Sequence, residues 1–253
     1  MIDKIVFFNK EIKIDKTKFK DYELTTNNQY NMLHDNCICG HFLNQDKVCG
    51  NRYSIRNDYF NLIVKPKHIF LQPHLHTLLY QEHNLFTLSK NNFVEALERL
   101  GHMLDSHGIY FDIYKSPLST IEIRKNIYLD YSYEEYEPLL KALYAKKMDK
   151  FKHLNSYYFD NSLRQIIIYD KTLQLAQERY NFPSANIMRI EYRMKKKQKV
   201  MNDLKYDSVQ SLINNWDKLE TIYLEKTGDL LFANKNLLWI LIKDHRRINL
   251  NGS

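Results

Sequence analysis

The sequence predicts an α+β fold: a central antiparallel β-sheet with helices packed mainly on one face, followed by a helical C-terminal portion. Three observations predict it. Apolar residues alternate with period two in several short segments, recur at three and four residues in others, and the two kinds of segment are interleaved along the chain.

The elements follow in order. Lys4 to Ile14 alternates through Ile5 and Phe7, then Ile12 and Ile14, and reads as one or two strands. Thr25 to Asn51 is rich in polar residues, Asn and Gly around Cys37, Cys39 and Cys49, and reads as loop. Tyr59 to Lys65 and Lys67 to Leu79 read as strands separated at Pro66, the second carrying Ile69, Leu71, Leu75 and Leu79. Ser89 can cap a helix running to Leu104, because Phe93, Ala96, Leu97, Leu100 and Leu104 form one apolar stripe and Gly108 follows. Ser119 to Tyr128 alternates again through Ile121, Ile123 and Ile127. Tyr133 to Met148 has helical spacing. Ser156 to Phe159, a turn at Asp160-Asn161-Ser162, and Arg164 to Tyr169 form a predicted β-hairpin. Thr172 to Tyr180 is a predicted helix, Asn186 to Arg193 a strand, and Val209 to Leu224 with Leu230 to Asp244 helical. The expected organisation is a domain over residues 1–204 and a helical extension over 205–253.

The chain has 253 residues, 44% hydrophobic and 26% charged, a globular composition that excludes a disordered or fibrous protein. Its longest apolar runs, such as Leu237 to Ile242, fall far short of the roughly 20 residues that cross a bilayer. The start, Met1-Ile2-Asp3-Lys4, has no signal-peptide layout, so a cytosolic location is expected. Three cysteines are too few for a disulfide framework and are expected to be free thiols. The 37 Lys and Arg against 30 Asp and Glu give a charge of +7, which favours a polyanionic partner, nucleic acid first. No phosphate-cradling glycine loop and no serine-hydrolase elbow is present, which argues against nucleotide binding and acyl transfer.

Four motifs carry chemistry. His74 and His76, one residue apart in a predicted strand, would point to one side and grip a divalent ion. Glu122, set between Ile121 and Ile123 with Asn126 beyond, leaves the core face and is a candidate ligand; its alternative is a solvated glutamate. Ile166-Ile167-Ile168-Tyr169-Asp170-Lys171 ends an apolar strand in a phenol and an amine. A tyrosine that attacks phosphorus needs its proton removed or its oxyanion stabilised, and Lys171 is placed in sequence to help; the alternative is a polar turn. In Met188 to Lys197, alternation puts Arg189, Glu191 and Arg193 on one face, and Lys195, Lys196 and Lys197 extend the charge, which suits a nucleic-acid backbone track or a solvated surface. Cys37-Ile38-Cys39 has one intervening residue where structural zinc sites usually have two to four, a poor fit to zinc.

Taken in order, these pieces resemble the phage and plasmid rolling-circle replication initiators related to the filamentous-phage gene II protein and to plasmid Rep proteins. The resemblance runs from about Tyr59 to Leu204. Tyr157 to Lys171 is similar to the family's aromatic hairpin leading into a Tyr-Asp-Lys signature, and Met188 to Arg193 to its Arg-hydrophobe-Glu strand. The His-hydrophobe-His triplet is also the ligand motif of rolling-circle nickases. The resemblance implies a nickase-like core and a metal-dependent endonuclease that nicks one strand at a replication origin, becomes joined through tyrosine to the 5′ phosphate, and later rejoins the strand. It implies Mg²⁺ or Mn²⁺ held by His74, His76, Glu122 and Glu191, nucleophilic attack by Tyr169 with Lys171 assisting, and DNA contacts from Arg164, Arg189, Arg193 and Lys195 to Lys197. It also implies single-stranded or origin DNA and a host helicase and polymerase as partners, in the bacterial cytosol. Two departures matter: Gln174 stands where the family commonly has an acid, and Tyr180 rivals Tyr169 as nucleophile. A non-cleaving origin-binding protein or repressor of the same ancestry is the alternative.

Overall fold

The computed structural model of the chain describes residues 2–9, 13–15, 53–56, 58–65, 68–80, 85, 87–178 and 185–231. In chain order the elements are β1 (Ile2–Asn9), β2 (Lys13–Ile14), β3 (Tyr53–Arg56), β4 (Phe60–Lys65), β5 (His68–Pro73), α1 (Leu75–Tyr80), α2 (Lys90–Ser106), β6 (Ile109–Tyr110) and β7 (Leu118–Leu129). They continue through a 3₁₀ turn (Tyr133–Tyr136), α3 (Glu137–Ala142), β8 (Asp149–His153), β9 (Ser156–Asp160), β10 (Arg164–Asp170), α4 (Lys171–Gln177), β11 (Asn186–Met194), α5 (Lys197–Leu204), α6 (Val209–Asn214) and α7 (Lys218–Leu231). Every strand pairing of defined register is antiparallel, and the fold is α+β. No helix among the described residues is long and apolar enough to cross a membrane.

The chain forms two compact units, one of Ile2–Ile121 with Val200–Trp216, the other of Glu122–Lys199 with the chain from Asp217. This is a different division from the one expected at residue 204. In the first unit β4 pairs with β3 and β5, and β5 with β1. Leu62, Leu71 and Phe7 stand opposite one another across three strands, each at most 1% exposed, so they form one apolar row on a single face. The stripe of α2 predicted from spacing is the stripe that is buried: Phe93, Ala96, Leu97, Leu100 and Leu104. Ser89 caps the helix by accepting from the Asn92 amide at 3.1 Å, and Gly108 takes the left-handed conformation (φ 72°) just beyond its end. The Phe93 ring lies 5.0 Å from that of Trp216.

In the second unit the strand order is β7-β11-β10-β9-β8. Tyr157, Phe159, Ile166 and Ile168 alternate to one face of the β9–β10 hairpin and are buried there. The 3₁₀ turn and α3 sit against that face, because Tyr133 donates to the Ile168 carbonyl and Tyr157 to Glu137 Oε1 at 3.0 Å. The predicted helix from Tyr133 to Met148 is shorter than its spacing suggests. It ends at Ala142, with Leu143 extended, because Lys150 Nζ reaches back to the Leu140 and Leu143 carbonyls, each at 2.9 Å, and satisfies the helix end.

The predicted strand from Lys67 to Leu79 is corrected more sharply. It stops at Pro73, and Leu75–Tyr80 is helix α1. Leu71, Leu75 and Leu79 are four residues apart, a spacing that fits a strand face and a helix face equally, and the helix buries Leu75 and Leu78.

Candidate active site

The site in the second unit is built by register. On β10 and β11, Tyr169 stands opposite Arg189, Ile167 opposite Glu191, and Gln165 opposite Arg193. Directly opposed residues of an antiparallel pair share a face, so these six side chains project together, away from the face that buries Ile166 and Ile168.

The diagonal neighbours Tyr169 and Glu191 are joined: the phenol donates to Glu191 Oε1 at 2.7 Å. Arg189 Nη1 approaches the same phenolic oxygen at 3.5 Å, and its Nε donates to Asn126 Oδ1 at 2.7 Å. One row along, Arg193 forms an ion pair with Glu122 and donates to Gln165 Oε1 at 3.0 Å. Arg189 is 0%, Glu122 2% and Glu191 6% exposed, while Tyr169 is half-buried. Charges this deep are stable only when paired and hydrogen-bonded, and the partners are supplied by three strands of one sheet. The arrangement offers a phenol with a proton acceptor on one side and a fixed cation on the other.

Glu122 and Glu191 each present a carboxylate oxygen within 4.8 Å of the other. Two buried carboxylate oxygens this close can hold a metal ion between them. The expected histidine ligands do not join each other. His74 lies between β5 and α1, where Nδ1 donates to the Asp58 carbonyl at 2.8 Å and Nε2 accepts from the Asn61 amide at 3.1 Å. Both ring nitrogens have hydrogen-bond partners within the first unit. His76 is on α1, buried, with Nε2 3.8 Å from Asp3 Oδ1. A shared face requires a strand at both positions, and the chain has turned helical by the second.

Lys171 opens α4 and is 1% exposed, and Asp170 caps that helix by accepting from the Leu173 amide at 2.9 Å. Burial pushes the Asp170 carboxyl up, against the lowering effect of that amide. The Lys171 ammonium donates to Gln174 Oε1 at 2.9 Å, and the Gln174 amide donates to Glu178 at 2.9 Å. Glu178, one helical turn after Gln174, thus reaches Lys171 through the glutamine.

Of the expected DNA contacts, Arg189 and Arg193 are both engaged within the site, Arg189 wholly buried and the Arg193 side chain 30% exposed. Arg164 faces Met194 at the start of β10, on the side opposite Arg193. Lys195 donates to Asp160 Oδ1 at 2.6 Å and the Asn161 carbonyl at 2.9 Å, while Lys196 and Lys197 are exposed. Tyr180 and the three cysteines lie outside the described residues. Arg124 went unnoticed in the sequence. It is 1% exposed, and its signal was the alternation that sets it between Glu122 and Asn126 on one face of β7.

No family model matches the chain, and no curated protein matches it. Among solved structures it is similar to a rolling circle replication initiator protein from Geobacillus stearothermophilus, at 11% identity over 81% of this chain and 77% of that one, with a TM-score of 0.37. A likeness at that score carries no functional argument.

Proposed function

We propose that the chain is a rolling-circle replication initiator that nicks single-stranded DNA at an origin and later rejoins it through a covalent phosphotyrosine. The observation that carries this reading is the Tyr169 hydroxyl donating to buried Glu191 with Arg189 beside the same oxygen. In the forward step the Tyr169 phenolic oxygen attacks the scissile phosphorus. Its proton passes to Glu191, the new Tyr–O–P bond retains the 5′ phosphate, and the P–O3′ bond breaks to leave a 3′ hydroxyl that takes up a proton. Rejoining is the reverse displacement, with the 3′ hydroxyl as nucleophile and the phenol as leaving group.

Arg189, held by Asn126, stabilises negative charge on the phenolic oxygen in both directions. Lys171, buried at the start of α4, would assist from the helix that follows the nucleophile's strand. Glu122 and Glu191 would hold Mg²⁺ or Mn²⁺, which supplies charge withdrawal from the scissile phosphate. Lys196 and Lys197 are the exposed cations best placed to hold the strand backbone. A host helicase and polymerase would use the freed 3′ hydroxyl.

The test is a labelled single-stranded origin oligonucleotide incubated with full-length protein and Mn²⁺. A covalent adduct that vanishes in Tyr169→Phe and persists in Tyr180→Phe is expected. Persistence in Tyr169→Phe with loss in Tyr180→Phe moves the nucleophile to Tyr180. Tight binding with no adduct identifies a non-cleaving origin-binding protein instead.

A further inference from the structure

The hairpin at the edge of the second unit carries an aromatic pair on its open side. β8 is exposed along its whole length, and its Phe151, 46% exposed, stands opposite Tyr158 on β9. The two rings are stacked, with centroids 4.9 Å apart and planes inclined by 3°. Register places them on the catalytic face: Phe151 is opposite Tyr158, Tyr158 opposite Ile167, and Ile167 opposite Glu191. Tyr169 lies in the adjacent row, opposite Ser156. At about 4.8 Å between strands, Phe151 is about 10 Å across the sheet from the strand that carries Tyr169.

We propose that Phe151 and Tyr158 are a base-stacking platform for the single-stranded DNA that reaches Tyr169. This rests on the nickase reading and adds to it the path of the substrate. A single strand offers unstacked base faces, which the exposed Phe151 ring backed by Tyr158 takes up whatever the sequence, whereas a duplex has already stacked its own. Charge agrees, because the exposed Lys196 and Lys197 follow Lys195, which is itself paired with Asp160 on the same face. A second protein strand is a poorer occupant of this edge, since β8 carries Asp149, Lys150, Lys152 and His153, charged and polar side chains of the kind that blunt strand addition.

The test uses full-length protein, a fluorescein-labelled oligonucleotide of fifteen thymidines, and an abasic strand of the same length, with affinities read by anisotropy. Phe151→Ala and Tyr158→Ala are each expected to weaken binding of the thymidine strand about tenfold, to leave the abasic strand unchanged, and Phe151→Trp to restore the loss. Unchanged affinity for the thymidine strand in both alanine variants, or an equal loss for the abasic strand, overturns the platform while leaving the nickase reading intact. Failure of the wild-type protein to bind either strand overturns both. Phe151→Trp also separates a folding defect from a lost contact, because a variant that regains affinity has kept the sheet.

Discussion

Two segments of this chain carry polar residues at alternate positions, and they end differently. On β11, Arg189, Glu191 and Arg193 share one face because the strand persists through all three. At the end of β5, His74 and His76 have the same spacing, yet the backbone passes from extended to helical between them, and the imidazoles find separate partners in Asp58, Asn61 and Asp3. Spacing is a statement about side-chain direction only when the secondary structure is known. In β11 that structure is fixed by burial on both faces from Ile187 to Tyr192, whereas the segment after Pro73 has leucines that serve a helix as well as a strand.

The sharpest way to break the comparison is at Glu191. Glu191→Gln keeps a hydrogen-bonding partner for the Tyr169 phenol and removes the proton acceptor, so single-turnover adduct formation with Mn²⁺ should fall by about 10² to 10⁴-fold. A loss of only a few-fold would make the Tyr169–Glu191 bond a structural one.

The histidines supply the opposite arm. His74→Ala should leave the rate of adduct formation within a few-fold of wild type, because its two nitrogens are already committed within the first unit. His76→Ala should cost about 1 to 3 kcal/mol of stability, read from the urea midpoint, since it removes a 5% exposed ring facing Asp3, but should not change the rate per folded molecule. A hundredfold loss of rate in folded His74→Ala would make that imidazole a metal ligand.

The same contrast explains how much was legible in the sequence. Where one period was unambiguous the elements follow it: the α2 stripe, β7, the β9–β10 hairpin and β11 all have the faces that spacing indicates. β8 was invisible because Asp149 to His153 is exposed throughout and has no apolar alternation to detect. α1 was misread because leucines four apart satisfy both periods. The members of the site were visible for the reason that β11 was, but their pairing was not. Tyr169 meets Glu191 across 22 positions and Arg193 meets Glu122 across 71, and such partners are set by strand order and register. Arg124 shows the same limit: alternation gives the face it shares with Glu122 and Asn126, but its burial depends on what packs over that face.

Acid stability probes the face opposite the site. The Lys152 ammonium and the Tyr157 hydroxyl hold the Glu137 carboxyl down at about 2, below its ordinary 4.5, and burial with the same contact pushes the Tyr157 phenol up to about 12. A carboxyl whose folded pKa is depressed stabilises the fold fully above the unfolded value and loses that contribution as pH falls. The Glu137 contribution should therefore fade between about pH 4.5 and about 2. Glu137→Gln should flatten the thermal midpoint against pH in that window and leave the rest of the profile in place. An unchanged acid limb would mean that α3 is not fastened to the hairpin through this side chain.

The smallest expected effect returns to backbone conformation. The two-residue connection between β8 and β9 places Leu154 at φ 51°, with its side chain 78% exposed. A left-handed conformation costs a branched residue about 1 to 2 kcal/mol, while asparagine bears it more readily and loses less chain entropy on folding than glycine would. Leu154→Asn removes no buried contact, so it should stabilise the chain by about 1 kcal/mol and raise the thermal midpoint by about 2 to 4 °C. Leu154→Gly should gain less, because relief of the backbone is offset by the added freedom of the unfolded chain. If both substitutions lower the midpoint, the leucine side chain makes an apolar contact worth more than the strain, and the hairpin tip is held by packing.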